Sequence, residues 1–215
     1  MNKWKEHKGS ILITSIIILL PILVGLFLWN KLPNEIATHF GANGEANGWS
    51  SKGFAVFGLP LFVLACHLIC CAGICADPKN QRIDGKIFKL ILWICPLVSV
   101  FCTFSVYGYA LNLDINVDTL GKIFVGLIFI IMGNYLPKCR QNYTVGIKLP
   151  WTLNDEENWN HTHRMAGWLW MIGGVLFMLL IFVEDMDIWL MIVLMSVMAI
   201  VPIIYSFVYY IKHKE

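Results

Sequence analysis

Charge is scarce in this 215-residue chain. Asp, Glu, Lys and Arg make up 14% of it, against 58% hydrophobic residues and a mean hydropathy of +0.67. So little polar surface cannot coat a water-soluble globule of this length, which excludes a soluble enzyme or soluble binding module. The chain also lacks a Gly-rich phosphate loop, an H-E-x-x-H pair and a Ser-His-Asp pattern, so neither nucleotide-driven nor hydrolytic chemistry has a motif to rest on. Its seven cysteines are an odd number. Six of them (Cys66, Cys70, Cys71, Cys75, Cys95, Cys102) fall inside apolar runs, so no disulfide framework is implied. Cys66, Cys70, Cys71 and Cys75 recur at helical spacing, as a metal-ligand cluster would, but small apolar packing residues are the better account. No cofactor or metal is expected, and a formal net charge of +2 gives no reason to expect direct contact with nucleic acid.

What is present is a series of long apolar blocks. A helix needs about 20 such residues to cross the hydrocarbon core, and six blocks qualify: Ser10–Trp29, Phe54–Ala76, Ile87–Leu111, Thr119–Leu136, Met165–Val183 and Ile188–Ile211. The expected fold is all-α and polytopic, with six transmembrane helices. The first block follows Lys3, Lys5 and Lys8 and is read as a retained helix, because it outruns a signal-peptide core and has no small-x-small cleavage site. Pro21, Pro60, Pro96 and Pro202 interrupt four spans and fit kinks held by neighbouring helices.

Six spans place both termini on one side. One set of connectors carries Lys3, Lys5, Lys8, Lys79, Arg82, Lys86, Lys138, Arg140, Lys148, Arg164, Lys212 and Lys214, whereas the other carries Lys31 and Lys52. The positive-inside rule then makes both termini cytoplasmic. Two lobes are expected: residues 1–76, holding two spans and an outward loop at 30–53, and residues 77–215, holding four spans and a cytoplasmic connector at 137–164.

The outward loop is rich in turn formers (Leu32-Pro33-Asn34, Gly41-Ala42-Asn43-Gly44, Asn47-Gly48) and should fold as a compact cap rather than a helix. His39, Phe40, Trp49 and Lys52 are its candidate binding residues.

In the connector, Pro137 stops the fourth span, and Gly146 and Pro150 punctuate an extended piece. Thr152 stands three residues before Asp155, a spacing like that of a capping box, and Asp155, Glu156 and Glu157 load a helix start with the negative charge its dipole prefers. Trp159, Thr162, Ala166 and Trp170 share a helix face, suggesting a short helix along the membrane surface that enters the fifth span. Trp151, Trp159, Trp168 and Trp170 suit the headgroup region. Glu157, His161 and His163 come nearest to a metal or catalytic group, but His163 points about 200 degrees from His161 on a helix of 3.6 residues per turn, so one site would need a break.

His67, in the middle of the second span, is the intramembrane candidate. The bland account is a neutral imidazole bonded to a hydroxyl on another helix, with Thr103, Ser105 and Tyr107 at comparable depth.

These residues carry a resemblance. Gly133, Asn134, Pro137, Lys138, Asn142, Gly146, Ile147, Lys148, Pro150, Trp151, Thr152, Leu153, Trp159, Arg164 and Gly167 fall in the order of the connector of the SdpI family of bacterial toxin-immunity membrane proteins. Lys148 and Leu149 stand where Arg-Thr is usual, and lysine lacks arginine's bidentate fork. The stretch Leu32–Gly53 resembles a domain of unknown function that often precedes the SdpI region. The resemblance implies a multi-pass protein of the bacterial cytoplasmic membrane that protects the cell against a secreted peptide toxin. In at least one member, the toxin's presence is also relayed by tethering a transcriptional repressor. Partners implied are the lipid bilayer, a peptide toxin and a cytoplasmic repressor. A gradient-driven transporter, supported by the kinked spans and His67, is the alternative; a membrane enzyme would rest on Glu157, His161 and His163.

Overall fold

The computed structural model describes residues 3–41, 43–79, 83, 85–183 and 187–213. Ala42, Arg82 and Lys214 lie outside them. The helices are α1 (Lys3–Glu6), α2 (Lys8–Phe27), α3 (Leu59–Ala76, preceded by a π-helical turn Phe54–Gly58), α4 (Gly85–Ala110), α5 (Val117–Tyr135), α6 (Pro150–Asn154), α7 (Glu156–Leu179) and α8 (Asp187–Lys212). Six of these elements are long and apolar enough to cross a membrane, which agrees with the six expected spans. The protein is mostly helical, and the exception is in the cap, where β1 (Glu35–Phe40) and β2 (Ala46–Ser51) form an antiparallel hairpin.

The chain folds as two compact units: Met1–Ala76 with Phe88–Asp118, and Asp77–Ile87 with Thr119–Glu215. The first unit thus contains most of the third span, which the division drawn from the sequence assigned to the second lobe.

Within the first unit, the buried residues of α2 are Ile11, Thr14, Ile18, Pro21 and Gly25, a stripe at steps of three and four that faces protein while the rest of the helix stays apolar for lipid. Gly25 permits the closest approach: a Cβ there would lie 2.5 Å from Tyr107 Oη and 2.7 Å from Val56 Cγ1. Proline at position 21 removes an N–H from the α2 ladder. Close by, Ser99 Oγ donates to Ile18 O at 3.0 Å and Tyr107 Oη reaches Pro21 O at 3.5 Å, so side chains of α4 bond two α2 carbonyls beside that proline. Leu32, Ile36, Ala55, Val56, Val106 and Tyr107 form a small core that seats the hairpin on the helix ends. The hairpin turns through Gly41–Glu45, with Gly44 at φ 75° and Gly41 N donating to Glu45 O at 2.8 Å. Its register is irregular on both sides of His39.

In the second unit, α5 and α7 meet at paired glycines. A Cβ on Gly133 would lie 2.7 Å from Gly167 O, and one on Gly126 would lie 2.6 Å from Gly174 O, so backbone meets backbone. Proline at 202 cannot donate to Met198 O four residues earlier, and Trp170 Nε1 of α7 donates to that carbonyl at 3.0 Å instead.

Candidate functional site

The connector between α5 and α7 is a polar network with almost every group satisfied inside it. Pro137 sits in a 3-10 turn, Leu136–Lys138, that ends α5. Asn142 is fully buried and organises the loop that follows. Its Oδ1 accepts from the amides of Thr144 (2.9 Å) and Val145 (2.7 Å), and its Nδ2 donates to the carbonyls of Arg140 (2.8 Å) and Val145 (3.0 Å). Asparagine's paired acceptor and donor make this possible, where an acid or an aliphatic residue would leave buried amides unmatched. Thr152, also fully buried, accepts from Leu149 N at 2.9 Å, and its hydroxyl reaches the carbonyls of Ile147 and Leu149.

Thr152 therefore does not cap α7, as its spacing suggested. It lies inside α6, and Asp155 is the cap, its Oδ1 accepting from Glu157 N (2.9 Å) and Asn158 N (3.2 Å). The capping position is three residues later because Pro150 starts a separate helical turn. Glu156 and Glu157 remain in the first turn of α7. The helix expected through Trp159, Thr162, Ala166 and Trp170 is α7 itself, continuous from Glu156 to Leu179, with the short α6 before it.

Trp159 is likewise no interfacial anchor. It is fully buried, donates from Nε1 to Cys139 O at 2.7 Å, and stacks on His163. His163 Nδ1 lies 2.7 Å from Trp159 O while its Nε2 accepts from Ile147 N at 2.9 Å. The carbonyl requires a proton on Nδ1 and the amide requires a bare Nε2, so the ring is neutral with a fixed tautomer. His161 instead stacks on Tyr209 with 5.0 Å between centroids, and Tyr209 Oη donates to Glu157 Oε2 at 3.4 Å. Glu157, His161 and His163 thus do not converge, and among the described residues no group of His, Cys, Asp or Glu is arranged to hold a metal.

Gly146, at φ 118°, closes over this stack: a Cβ there would run into His163 Nε2 and lie 2.9 Å from Trp159 Cη2. Trp151 pins α6 to α8, donating from Nε1 to Ser206 Oγ at 2.8 Å with its ring against Phe207 and Tyr210. Pro150 and Lys148 are exposed, and Lys148 Nζ donates to Thr144 O. Asn134 accepts from Lys138 Nζ, and Gly133 and Gly167 are the close-approach pair described above. Arg164 is exposed beside Pro137.

Several members of the network escaped sequence reading. Asp77 is buried and accepts from Lys79 N, Tyr143 N and Thr144 Oγ1, at 2.7, 2.9 and 2.6 Å. Gln141 takes Lys79 Nζ at 2.8 Å and donates to the carbonyls of Thr152 and Leu153. Asn158 donates to Ser206 O and accepts from Thr162 Oγ1. Burial pushes the Cys139 thiol up to about 11, a shift opposed by its bond from Asn142. Lys122, buried within α5, has a signal in the sequence, as a cation inside an apolar run.

The cap residues divide. Trp49 is 59% exposed and lines an open groove of about 430 Å3 with Lys31, Glu35, Ile36, Tyr109 and Asn112. His39 is exposed and bonded through Nδ1 to Asn47 Oδ1. Phe40 packs edge-on against Tyr109, and Lys52 is tied down, donating to Trp29 O at 3.1 Å with its ammonium over the Trp29 ring. His67 is buried with Nε2 3.0 Å from Thr14 Oγ1, so its partner is a hydroxyl on the first span rather than Thr103, Ser105 or Tyr107.

Residues 16–64 match the model of a domain of unknown function (DUF1648), the region of the first spans and the hairpin. Over 206 residues the chain is 28% identical to the "Immunity protein SdpI" of Bacillus subtilis (strain 168), covering 94% of this chain and 96% of that protein. No solved structure matches it. Residues 138–206, which hold the connector from Lys138 onward, α7 and most of α8, match the model of the SdpI/YfhL protein family, so this membrane protein is similar to that family over that region.

Proposed function

We propose that this chain is an immunity protein of the bacterial cytoplasmic membrane, protecting the cell that carries it against a secreted antimicrobial peptide. The supporting observation is the near end-to-end similarity to an immunity protein, over 94% of this chain and 96% of that protein. The bias of basic residues argues that both termini and the connector face the cytoplasm. The hairpin then faces outward, and its groove beside Trp49 is the surface that meets a peptide arriving from outside. The connector's buried groups are matched, and Arg140 and Lys148 stand exposed on it. Those two charges are the surface offered to a cytoplasmic repressor. His67, the residue that spoke for a transporter, is engaged by Thr14 and lends transport no support.

The test is survival. A toxin-sensitive strain expressing the chain should survive a peptide dose that kills the strain with empty vector, and Trp49→Ala should reduce survival at unchanged membrane level. Equal killing with the protein present in the membrane would refute the immunity reading.

A further inference from the structure

At the polar end of α7 a concavity of about 300 Å3 is lined by Pro137, Asn160, His161 and Arg164. Its shape follows from the glycine at position 167. A Cβ there would lie 2.7 Å from Pro137 Cγ, so the absent side chain lets the proline ring rest against α7 and become the floor. Arg164, one turn earlier, lines the same concavity. Lys138 adjoins Pro137 in sequence but turns away, its ammonium bonded to Asn134 Oδ1 at 3.3 Å and lying over the Tyr135 ring. Glu157, the nearest carboxylate on the same helix, is the acceptor of Tyr209 Oη. The guanidinium is therefore the charge of the concavity, joined by an amide at Asn160 and a ring nitrogen at His161. A planar cation with neighbouring N–H groups suits a phosphate.

The helix beyond indicates what the phosphate is attached to. Continuing from Arg164 at steps of three and four come Trp168, Ile172, Val175 and Leu179, with exposures of 64, 56, 49 and 50%. They form an exposed apolar stripe running from the concavity along α7, the helix of the candidate span Glu156–Phe182, with the amphipathic indole of Trp168 at its head. We propose that this concavity seats the phosphate of a membrane lipid headgroup on Arg164, with the lipid's acyl chains lying along the Trp168–Leu179 stripe. Basic pockets at helix ends with an apolar track below them are a form in which such headgroups are held. A free phosphate would have no use for the track.

The test is native mass spectrometry of the purified full chain in detergent, with three probes: phosphatidylglycerol, diacylglycerol bearing the same chains, and inorganic phosphate. Wild type should retain one phosphatidylglycerol under conditions that strip diacylglycerol. Arg164→Gln should cut that retention by about tenfold, as loss of a charge-assisted contact does, and Arg164→Lys should recover part of it. Should Arg164→Gln fail to purify as a monodisperse species, Asn160→Leu, which removes a lining amide at an exposed position, decides in its place with a smaller loss. Equal retention of phosphatidylglycerol and diacylglycerol would leave only the apolar track and overturn the proposal. Inorganic phosphate held as tightly as the lipid would overturn it in favour of a soluble ligand. Retention unchanged in both Arg164→Gln and Asn160→Leu would place the lipid elsewhere.

Discussion

His163 stacks on Trp159 at 4.0 Å between ring centroids and 19° between planes, and each ring also holds a separate piece of the connector. Trp159 takes the carbonyl of Cys139 and His163 takes the amide of Ile147, so two stations of an irregular loop are fixed to one helical turn. The loop conformation thus depends on buried aromatic surface and matched hydrogen bonds more than on its charges.

Trp159→Ala should be the most damaging single change in the connector. It opens a cavity, leaves Cys139 O unmatched and removes the surface under His163, at a cost of about 3–5 kcal/mol. Lys148→Ala, which removes an exposed bond to Thr144 O, should cost about 0.5 kcal/mol or less. Denaturant titration in mild detergent, followed by tryptophan fluorescence, compares the two; similar midpoints would show that the loop is held by charge.

Gly146→Ala tests the same packing from the loop side. A positive φ costs an L-residue about 1–3 kcal/mol, and here the methyl also meets the imidazole of His163. Gly9→Ala, where nothing lies within 4 Å of the added methyl, should leave stability unchanged or slightly raised. The melting temperatures of the two variants should therefore move apart.

Thr14→Val should destabilise the first unit by about 1–3 kcal/mol, because His67 Nε2 loses its hydroxyl partner in a buried site. A double change with His67→Leu should cost less than the two single changes added together, since neither polar group is then stranded. If protection from toxin falls with His67→Leu while folded protein stays at full level, the histidine has a role beyond packing.

Cys139 should resist alkylation. With its thiol pushed up to about 11 against an ordinary 9.0, the thiolate at neutral pH is about a hundredfold scarcer, and burial hinders the reagent further. In a protein retaining only this cysteine, maleimide labelling should be slow at neutral pH and quicken as pH rises. Fast labelling at neutral pH would mean the loop opens.

Orientation is testable with introduced cysteines in a background cleared of native thiols. Asn43→Cys, in the exposed hairpin turn, should react with an impermeant reagent added outside, and Lys148→Cys should react only after permeabilisation. Lys148 is the better inner position than Asn142, whose side chain is the buried hub of the loop. The reverse pattern would invert the proposed topology.

The sequence alone makes legible six stretches long and apolar enough to cross a membrane and a polar connector between the fourth and the fifth. Hydrophobic length is a local property, and the bilayer converts it directly into helices because no other open segment satisfies its own backbone there. It also singled out Gly146, Trp151, Thr152 and Trp159, which are packed or hydrogen-bonded within the connector. What it left undecided was which of those side chains face inward. Trp159 reads equally well as an interfacial anchor or as a core residue until Cys139 O is placed beside it. Thr152 and Asp155 both have cap chemistry, and only the separate turn begun by Pro150 assigns the cap to Asp155. The hairpin was hidden because Gly, Asn and Ser dilute the alternation that marks a strand, and its seat on Val56, Val106 and Tyr107 is built from segments far apart in the chain. The partners of Asp77, His67 and Asn158 lie 66, 53 and 48 residues away along the chain, and a hydrogen bond over such a distance has no periodicity for a sequence to display.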